Sequence, residues 1–250
     1  MNDIDLVYGI NPVVEGLRGT LRAPLELIVL KGALTPRLNE AVQLANSRNV
    51  AVRLRDRQDL DRLAGHKHHQ GAILRVAPFA YSDLEDLIGR WRNSGGPAFF
   101  LVLDGVTDPH NFGAILRSAD AAGCHGVIVG KDRACPVSGV VEKSASGALA
   151  HLPLAQVTNI SRTLEELKKE GVWIYGLAGD VGSEPFQSGD YRGHVALVAG
   201  SEGEGLRANV RSHCDHLIAI PMRGQVSSLN VSVATAVALF EVVRQRPEQS

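Results

Sequence analysis

Apolar and polar residues follow one another along this chain in a strand-then-helix order, in two blocks. In the first block, β-type runs at 25–30, 51–55 and 71–76 are separated by segments with helical spacing of Leu, Ala and Val. From Ala98 onward, further β-type runs recur, and helical segments separate most of them: FFLVLD, GVIVG, LPLAQ, WIYGLA, VALVAG and LIAIP. This alternation predicts an α/β fold in which helices cover both faces of a parallel sheet.

A polar segment between the two blocks predicts a joint. Residues 79–97 mix Ser, Asp, Asn, Gly and Pro around one short amphipathic stretch, LEDLIGRW. The sequence therefore predicts three parts: a small α/β domain over residues 1–78, a linker over 79–97, and a larger α/β domain over 98–250.

The charge of the chain is divided unevenly between these parts. The 250 residues carry 26 Lys and Arg against 27 Asp and Glu, a formal net charge of -1 that by itself argues against a nucleic-acid-binding protein. Residues 1–78, however, hold 11 basic and 8 acidic side chains, net +3, and the rest of the chain holds 15 and 19, net -4. The small domain therefore offers candidate phosphate contacts at Arg53, Arg55, Arg57, Arg62 and Lys67. Taken alone, a solvated surface with scattered arginines is the simpler interpretation.

The cysteines and the first residues favour a reducing compartment. The three cysteines form no CxxC pair, and the N-terminal residues lack the basic-then-apolar order of a signal peptide. The stretch 224–240, which has no Asp, Glu, Lys or Arg, contains six Ser, Thr, Asn and Gln residues and is too polar for a membrane span. We therefore expect a cytoplasmic protein with no membrane partner.

Three strand-to-loop junctions of the larger domain carry unusual residues, and ligands of parallel sheets bind at such junctions. The first junction is DGVTDPHNFG, which contains Asn111 and leads into a helix with Arg117. The second is GSEGEGL, which begins at Gly200, and the third is MRGQVSSLNVS, which contains Ser228 and Asn230. A single such loop is as well explained by a helix cap or a tight turn, whereas three loops at successive strand ends indicate a ligand site.

The glycine-rich second loop does not fit a phosphate ligand. Its GxxGxG order differs from the GxGxxG of dinucleotide-binding loops, and its carboxylates Glu202 and Glu204 would repel pyrophosphate. Carboxylates accept hydrogen bonds from ribose hydroxyls and tolerate a cation, which suits S-adenosylmethionine. Asp104 and Asp108 lack a third ligand at metal spacing, so we predict turn chemistry and no metal there.

Together these motifs resemble those of a known family. DGVTDPHNFGAILRSADAAG, LVAGSEGEGL and IPMRGQVSSLNVSVATAVALFE resemble, in order, the three motifs of the SpoU (TrmH-type) branch of the SPOUT RNA 2′-O-methyltransferases. YGINPVVEGLRG and HQGAILRV are similar to the family's small substrate-binding domain. The resemblance implies a C-terminal trefoil knot, S-adenosylmethionine as methyl donor, a homodimer, and an RNA substrate that the small basic domain binds. Within the family it points to members that methylate a guanosine ribose in large-subunit (23S) rRNA or a pre-ribosomal particle.

The resemblance also implies which residues form the site. Main-chain contacts with the cofactor fall on Gly200, Ile220, Met222 and Leu229. The polar, catalytic set falls on Asn111, Arg117, Glu202, Ser228 and Asn230, all of which this chain has. The family assigns proton acceptance to Arg117, although a guanidinium rarely deprotonates. Alternatively, Arg117 binds the adjacent phosphate and stabilises a developing alkoxide, while Glu202 or a water molecule takes the proton.

Three other functions compete with rRNA methylation. The same chemistry on tRNA would use the same motifs, and only the small basic domain favours rRNA. An RNA-binding ribosome-assembly factor without catalysis would not require the complete polar set. A nicotinamide dehydrogenase is disfavoured by the order of glycines and by the acidic loop.

Overall fold

Eleven strands, nine α-helices and two short 3₁₀ helices lie in the part of the chain that the computed structural model describes, residues 4–179 and 182–246. The strands are β1 (Asp5–Tyr8), β2 (Pro24–Leu30), β3 (Ala51–Arg55), β4 (Ala72–Val76), β5 (Phe99–Asp104), β6 (Gly126–Gly130), β7 (Leu154–Val157), β8 (Trp173–Leu177), β9 (Glu184–Pro185), β10 (Val195–Gly200) and β11 (His216–Ala219). The helices are α1 (Ile10–Arg18), α2 (Pro36–Ser47), α3 (Arg57–Ala64), α4 (Leu84–Ser94), α5 (Pro109–Ala121), α6 (Gly139–Ala145), α7 (Ile160–Lys169), α8 (Ala208–Arg211) and α9 (Val231–Gln245). These elements form two compact units.

The first unit is a small α/β domain around a four-stranded sheet of order β1-β4-β2-β3. Strand β4 is antiparallel to both of its neighbours, and β2 pairs parallel with β3. Apolar side chains of α1 and α2, such as Leu17 and Ala41, pack on one face against Leu27 and Leu74. The smaller core on the other face lies beneath Leu60 of α3. The three strands predicted for this part are confirmed, and β1 is an additional strand.

A segment distant in sequence completes the first unit. Residues 137–151, which the sequence places in the larger domain, belong to the first unit together with residues up to Ala80. Their α6 carries Glu142, a buried carboxylate that accepts a hydrogen bond from Arg22, and His151 lies 3.2 Å from Glu15. This difference from the predicted division arises because a charged pair and close packing, rather than chain order, decide where a short helix lies.

The pairing of Glu142 and Arg22 leads to a prediction about pH and stability. Burial raises the pKa of Glu142 above its ordinary value, although Arg22 acts in the opposite direction. Because the folded pKa is raised, the contribution of Glu142 to stability is present below its unfolded pKa and is lost as pH rises through its folded pKa. In Glu142→Gln, which cannot titrate, we expect the free energy of unfolding to increase relative to that of wild type as the pH rises from about 4, the ordinary pKa of a glutamate, towards neutrality. Urea denaturation across this range measures it, and a constant difference would contradict the assignment.

The second unit contains the predicted parallel sheet. Its seven strands have the order β7-β6-β5-β10-β8-β11-β9, and every pair is parallel. Side chains alternate between the faces of the sheet. Phe100 and Val102 of β5 point into the core beneath α4 and α7, whereas α5 and α9 contribute buried residues such as Leu116 and Leu239. The expectation of an α/β fold with a parallel sheet covered on both faces is confirmed.

The predicted linker contains a helix of the second unit. Helix α4 lies within residues 79–97, and its Leu87, Ile88 and Trp91 are buried in the core of the unit, which begins at Tyr81. The amphipathic stretch is therefore a packed helix, because its apolar face meets the sheet. The trefoil knot stays a prediction, and no helix among the described residues is long and apolar enough to cross a membrane.

Candidate active site

The three unusual loops meet at the carboxyl edge of the seven-stranded sheet. Strands β5 and β10 are neighbours, and Asp104 lies opposite Gly200 where both strands end. The loop after β5 leads to Asn111 near the start of α5, the loop after β10 carries Glu202, and the segment after β11 ends at Asn230, before α9. The parallel register therefore brings polar side chains that are far apart in sequence to one place.

Asn111, Glu202 and Asn230 form a hydrogen-bonded cluster, which we call the amide–carboxylate cluster. Asn111 Nδ2 and Asn230 Nδ2 each donate to Glu202 Oε1 at 2.8 Å. Asn230 Nδ2 also lies 3.0 Å from Asn111 Oδ1. Since both amides bind the same oxygen, the carboxylate is held in one orientation, with Oε2 as the oxygen still able to accept a proton or attract a cation.

Helix caps fix the direction of these amides. Asn230 is the N-cap of α9, and its Oδ1 accepts from the backbone N–H of Ser232 at 2.9 Å. Its Nδ2 must therefore face the cluster. Asp108 caps α5 by accepting from the backbone N–H of Asn111 at 2.7 Å, so Asp108 has the turn role that the sequence predicts. Two helix N-termini, each with a partial positive charge, thus lie beside the Glu202 carboxylate.

The Glu202 loop is closed by a backbone approach that only glycine permits. Ser201 and Gly205 exchange backbone hydrogen bonds of 3.0 and 3.1 Å, and Gly203 and Gly205 have positive φ. A Cβ on Gly200 would lie 2.1 Å from the carbonyl carbon of Gly205, a backbone atom. Gly200 therefore allows the loop to fold back on the end of β10.

A cavity of about 180 Å³ is lined in part by residues of the third loop, which are next in sequence to Asn230 of this cluster. Its lining includes three residues predicted to contact the cofactor, Ile220, Met222 and Leu229, and one of the polar set, Ser228. Leu229 directly precedes Asn230 of the cluster. Gly200 does not line the cavity, and its packing against Gly205 accounts for the glycine there.

The chemistry of this lining suits a nucleoside without phosphate. Apolar side chains of β8, β11 and the third loop dominate, and the hydroxyls of Ser227 and Ser228 supply polar contacts. None of the described residues that line it is Lys or Arg. S-adenosylmethionine has an apolar adenine, a ribose and a cationic sulfonium but no phosphate, so the residues present fit it.

The remaining polar residues of the motifs lie around the cluster. Arg117 is exposed on α5, six residues beyond Asn111 and about 9 Å further along the helix axis. Asp104 is fully buried in an ion pair with Arg207, whose Nε donates to Asp104 Oδ1 at 2.6 Å. Through this ion pair, Asp104 holds the loop after β10 in place. Among the described residues, no group of three His, Cys, Asp or Glu side chains is arranged to hold a metal ion.

The structure brings together three of the five basic residues predicted to contact RNA. Arg53, Arg55 and Arg62 line one groove of the first unit, together with Arg75, and Glu26 forms ion pairs with Arg53 and Arg75. Arg57 and Lys67 are exposed but are not part of the groove lining. Their role in RNA binding stays a prediction.

Sequence patterns missed several residues of the site. Leu177, Ala178 and Gly179 at the end of β8 line the cavity, although only the strand was predicted there. The signal that could have found them is the small residues that follow a buried strand in GLAG. Arg207 was also missed, because its partner Asp104 is 103 residues away in sequence.

Comparisons with families of known proteins cover both units. Residues 98–240 match the SpoU rRNA Methylase family. Residues 6–82 match the family described as RNA 2'-O ribose methyltransferase substrate binding.

Individual relatives are similar over nearly the whole chain. The chain is 47% identical, over 97% of its length and 99% of the relative, to the 23S rRNA (guanosine-2'-O-)-methyltransferase RlmB of Escherichia coli (strain K12). It is 44% identical, over 96% of each chain, to RlmB of Xanthomonas campestris pv. campestris. Among solved structures, the SpoU methyltransferase AviRb from Streptomyces viridochromogenes in complex with the cofactor AdoMet matches with a TM-score of 0.78 and 25% identity, over 97% of this chain and 90% of that one.

Proposed function

Because the chain belongs to the SpoU rRNA methylase family, we propose that it methylates the ribose 2′-hydroxyl of a guanosine in 23S rRNA. The chain is an RNA 2′-O-methyltransferase that depends on S-adenosylmethionine. The observation that carries the proposal is the amide–carboxylate cluster, in which three separate loops converge beside a cavity suited to a phosphate-free nucleoside. We further propose free rRNA or a pre-ribosomal particle in the cytoplasm as substrate.

The residues of the cluster orient the reaction and remove a proton. When bound, S-adenosylmethionine supplies a methyl group on a sulfonium, a good leaving group, so orientation provides much of the acceleration. As the bond from O2′ to the methyl carbon forms and the bond from sulfur to that carbon breaks, the 2′-hydroxyl loses its proton. Glu202 accepts this proton at Oε2, since Oε1 is occupied by two amide donors. Arg117 holds the neighbouring phosphate and stabilises the developing charge on O2′.

An incorporation experiment tests this function. The purified protein is incubated with labelled S-adenosylmethionine and with rRNA or tRNA from a strain that lacks its gene. We expect methyl incorporation into 23S rRNA and none above background into tRNA. Incorporation into tRNA alone would mean that tRNA, and not 23S rRNA, is the substrate. Incorporation into neither RNA would favour an RNA-binding protein without catalytic activity.

The exposed face of α9 supports a homodimer as part of this proposal. Val233, Val237 and Phe240 recur at helical spacing on this face, and Val233 and Phe240 are 48% and 49% exposed. Soluble monomers rarely present contiguous apolar surface of this kind. In a twofold dimer the same face of a second copy would cover it.

A charged substitution at Phe240 tests the dimer. We expect Phe240→Glu to weaken self-association by at least about tenfold, because it places a carboxylate in an apolar interface. Sedimentation equilibrium measures this weakening. Lys169→Glu, on the exposed surface of α7, is the control and should leave association unchanged. Equal association of the two variants would exclude α9 as the interface.

A further inference from the structure

A second cavity at the carboxyl edge of the sheet lies beyond the ends of β6 and β7. It has a volume of about 490 Å³, within the range of small-molecule sites. Three segments line it: residues 130–133 after β6, residues 158–161 at the start of α7, and residues 207–210 at the start of α8. The polar side chains among the lining residues are Asp132, Arg133, Thr158, Asn159, Ser161, Arg207 and Asn209.

Two walls of this cavity are held in place by hydrogen bonds. Arg207 is anchored by Asp104, which accepts from both its side chain and its backbone N–H. Asn209 Nδ2 donates to Ser161 Oγ at 2.8 Å, and Ser161 is buried. Polar groups held by such supporting contacts are preorganised for a ligand.

The cavity is close to the amide–carboxylate cluster. Arg207 follows directly on the loop that carries Glu202, and its partner Asp104 lies opposite Gly200. Strand β6 is the neighbour of β5, and adjacent strands are about 4.8 Å apart. A polymer bound with one unit at Glu202 therefore reaches the cavity with the next unit or the one after it.

The lining combines the groups that a nucleotide requires. Arg133 is exposed and offers a planar fork for a phosphate. Thr158 and the pair formed by Asn209 and Ser161 offer donors and acceptors for a base edge, above apolar side chains of Ile160 and Val210. We propose that this cavity binds a nucleotide of the substrate RNA adjacent to the methylated one. The proposal rests on the proposed function and adds a specificity site to it.

Two variants test this site, one that removes a charged side chain and one that fills the cavity. Arg133 has a φ of 56°, so Arg133→Gly removes the guanidinium at a position where glycine fits the backbone. Thr158→Trp fills the cavity with a large ring. Lys169→Ala is the matched control, because it removes one exposed positive charge at the far end of α7.

The probe is in-vitro-transcribed 23S rRNA, measured by filter binding at several salt concentrations and by steady-state methyl transfer. We expect Arg133→Gly and Thr158→Trp to raise both the Kd and the KM for the transcript about tenfold, with kcat and S-adenosylmethionine affinity unchanged. Arg133→Gly should also reduce the salt slope of binding by about 0.7. Lys169→Ala should behave as wild type.

Two different failures are distinguishable. If the wild-type chain methylates the transcript and both variants bind it as wild type does, the nucleotide site is excluded and the proposed function stands. If the wild-type chain neither binds nor methylates the transcript, free 23S rRNA is not its substrate, and the site fails together with that part of the proposed function. If Lys169→Ala weakens RNA binding as much as the two cavity variants do, general charge attraction explains the binding and a specific site does not.

Discussion

Single-turnover methyl transfer is expected to fall by about two to three orders of magnitude in Glu202→Gln. The substituted side chain can still present its carbonyl oxygen to Asn111 and Asn230, so the geometry of the cluster is kept. Its other terminal group becomes an NH₂, which cannot accept the proton of the 2′-hydroxyl. Rapid-quench measurements with saturating RNA and S-adenosylmethionine isolate the chemical step, and separate titrations establish that both ligands still bind.

The same loop supplies the matched control for this prediction. Glu204 is an exposed carboxylate two residues away and has no part in the hydrogen bonds of the cluster. Glu204→Gln should therefore retain the wild-type rate. If Glu202→Gln reacts as fast as Glu204→Gln, Glu202 is not the proton acceptor.

Arg117→Lys tests both roles that are open to Arg117. Lysine keeps the positive charge but loses the planar fork, so we expect weaker RNA binding and a rate lowered by about tenfold or more. If Arg117→Lys keeps nearly the full rate and affinity, neither proton acceptance nor phosphate binding by Arg117 can stand.

Gly200→Ala is expected to lower the rate of methyl transfer to below about a thousandth of the wild-type rate. The added methyl group would lie 2.1 to 2.4 Å from three backbone atoms of Gly205 and Leu206, which cannot rotate away as a side chain can. The loop must open, and Glu202 then leaves the two amides that hold it. We also expect a loss of about 1–3 kcal/mol in the free energy of unfolding, typical of overpacking.

Gly193→Ala is the control for this substitution. Gly193 lies just before the same strand, and a Cβ there would meet open space. Its rate and stability should match wild type. Full activity of Gly200→Ala would mean that the loop tolerates displacement and that methyl transfer does not depend on the position of Glu202.

Much of the fold follows from local patterns, and the exceptions have a common physical cause. Runs such as VALVAG are apolar throughout because strands of a parallel sheet are buried on both faces, which makes them easy to find. Residues 137–151 gave no such signal, because their place in the first unit depends on Arg22, more than 100 residues earlier. The amphipathic stretch of α4 was recognised but assigned to the linker, because only its Leu87, Ile88 and Trp91 face the core within an otherwise polar segment.

The candidate site was predictable in its parts but not in its geometry. Strand ends followed by Asn111, Glu202 and Asn230 indicated where a ligand binds, because parallel strands end at one edge. That both amides bind one carboxylate oxygen could not be predicted, since it depends on the helix caps and on the closed loop after Gly200. The cavity beyond β6 and β7 could not be predicted either, because three segments distant in sequence form it.

Mapping of ribose methylation in 23S rRNA tests the central claim most directly. A 2′-O-methyl group removes the hydroxyl that attacks the adjacent phosphodiester, so a methylated position resists alkaline cleavage. In a strain that lacks the gene, one guanosine should become cleavable. The wild-type chain should restore its protection, and Glu202→Gln should not. An identical cleavage pattern with and without the wild-type chain would contradict the account.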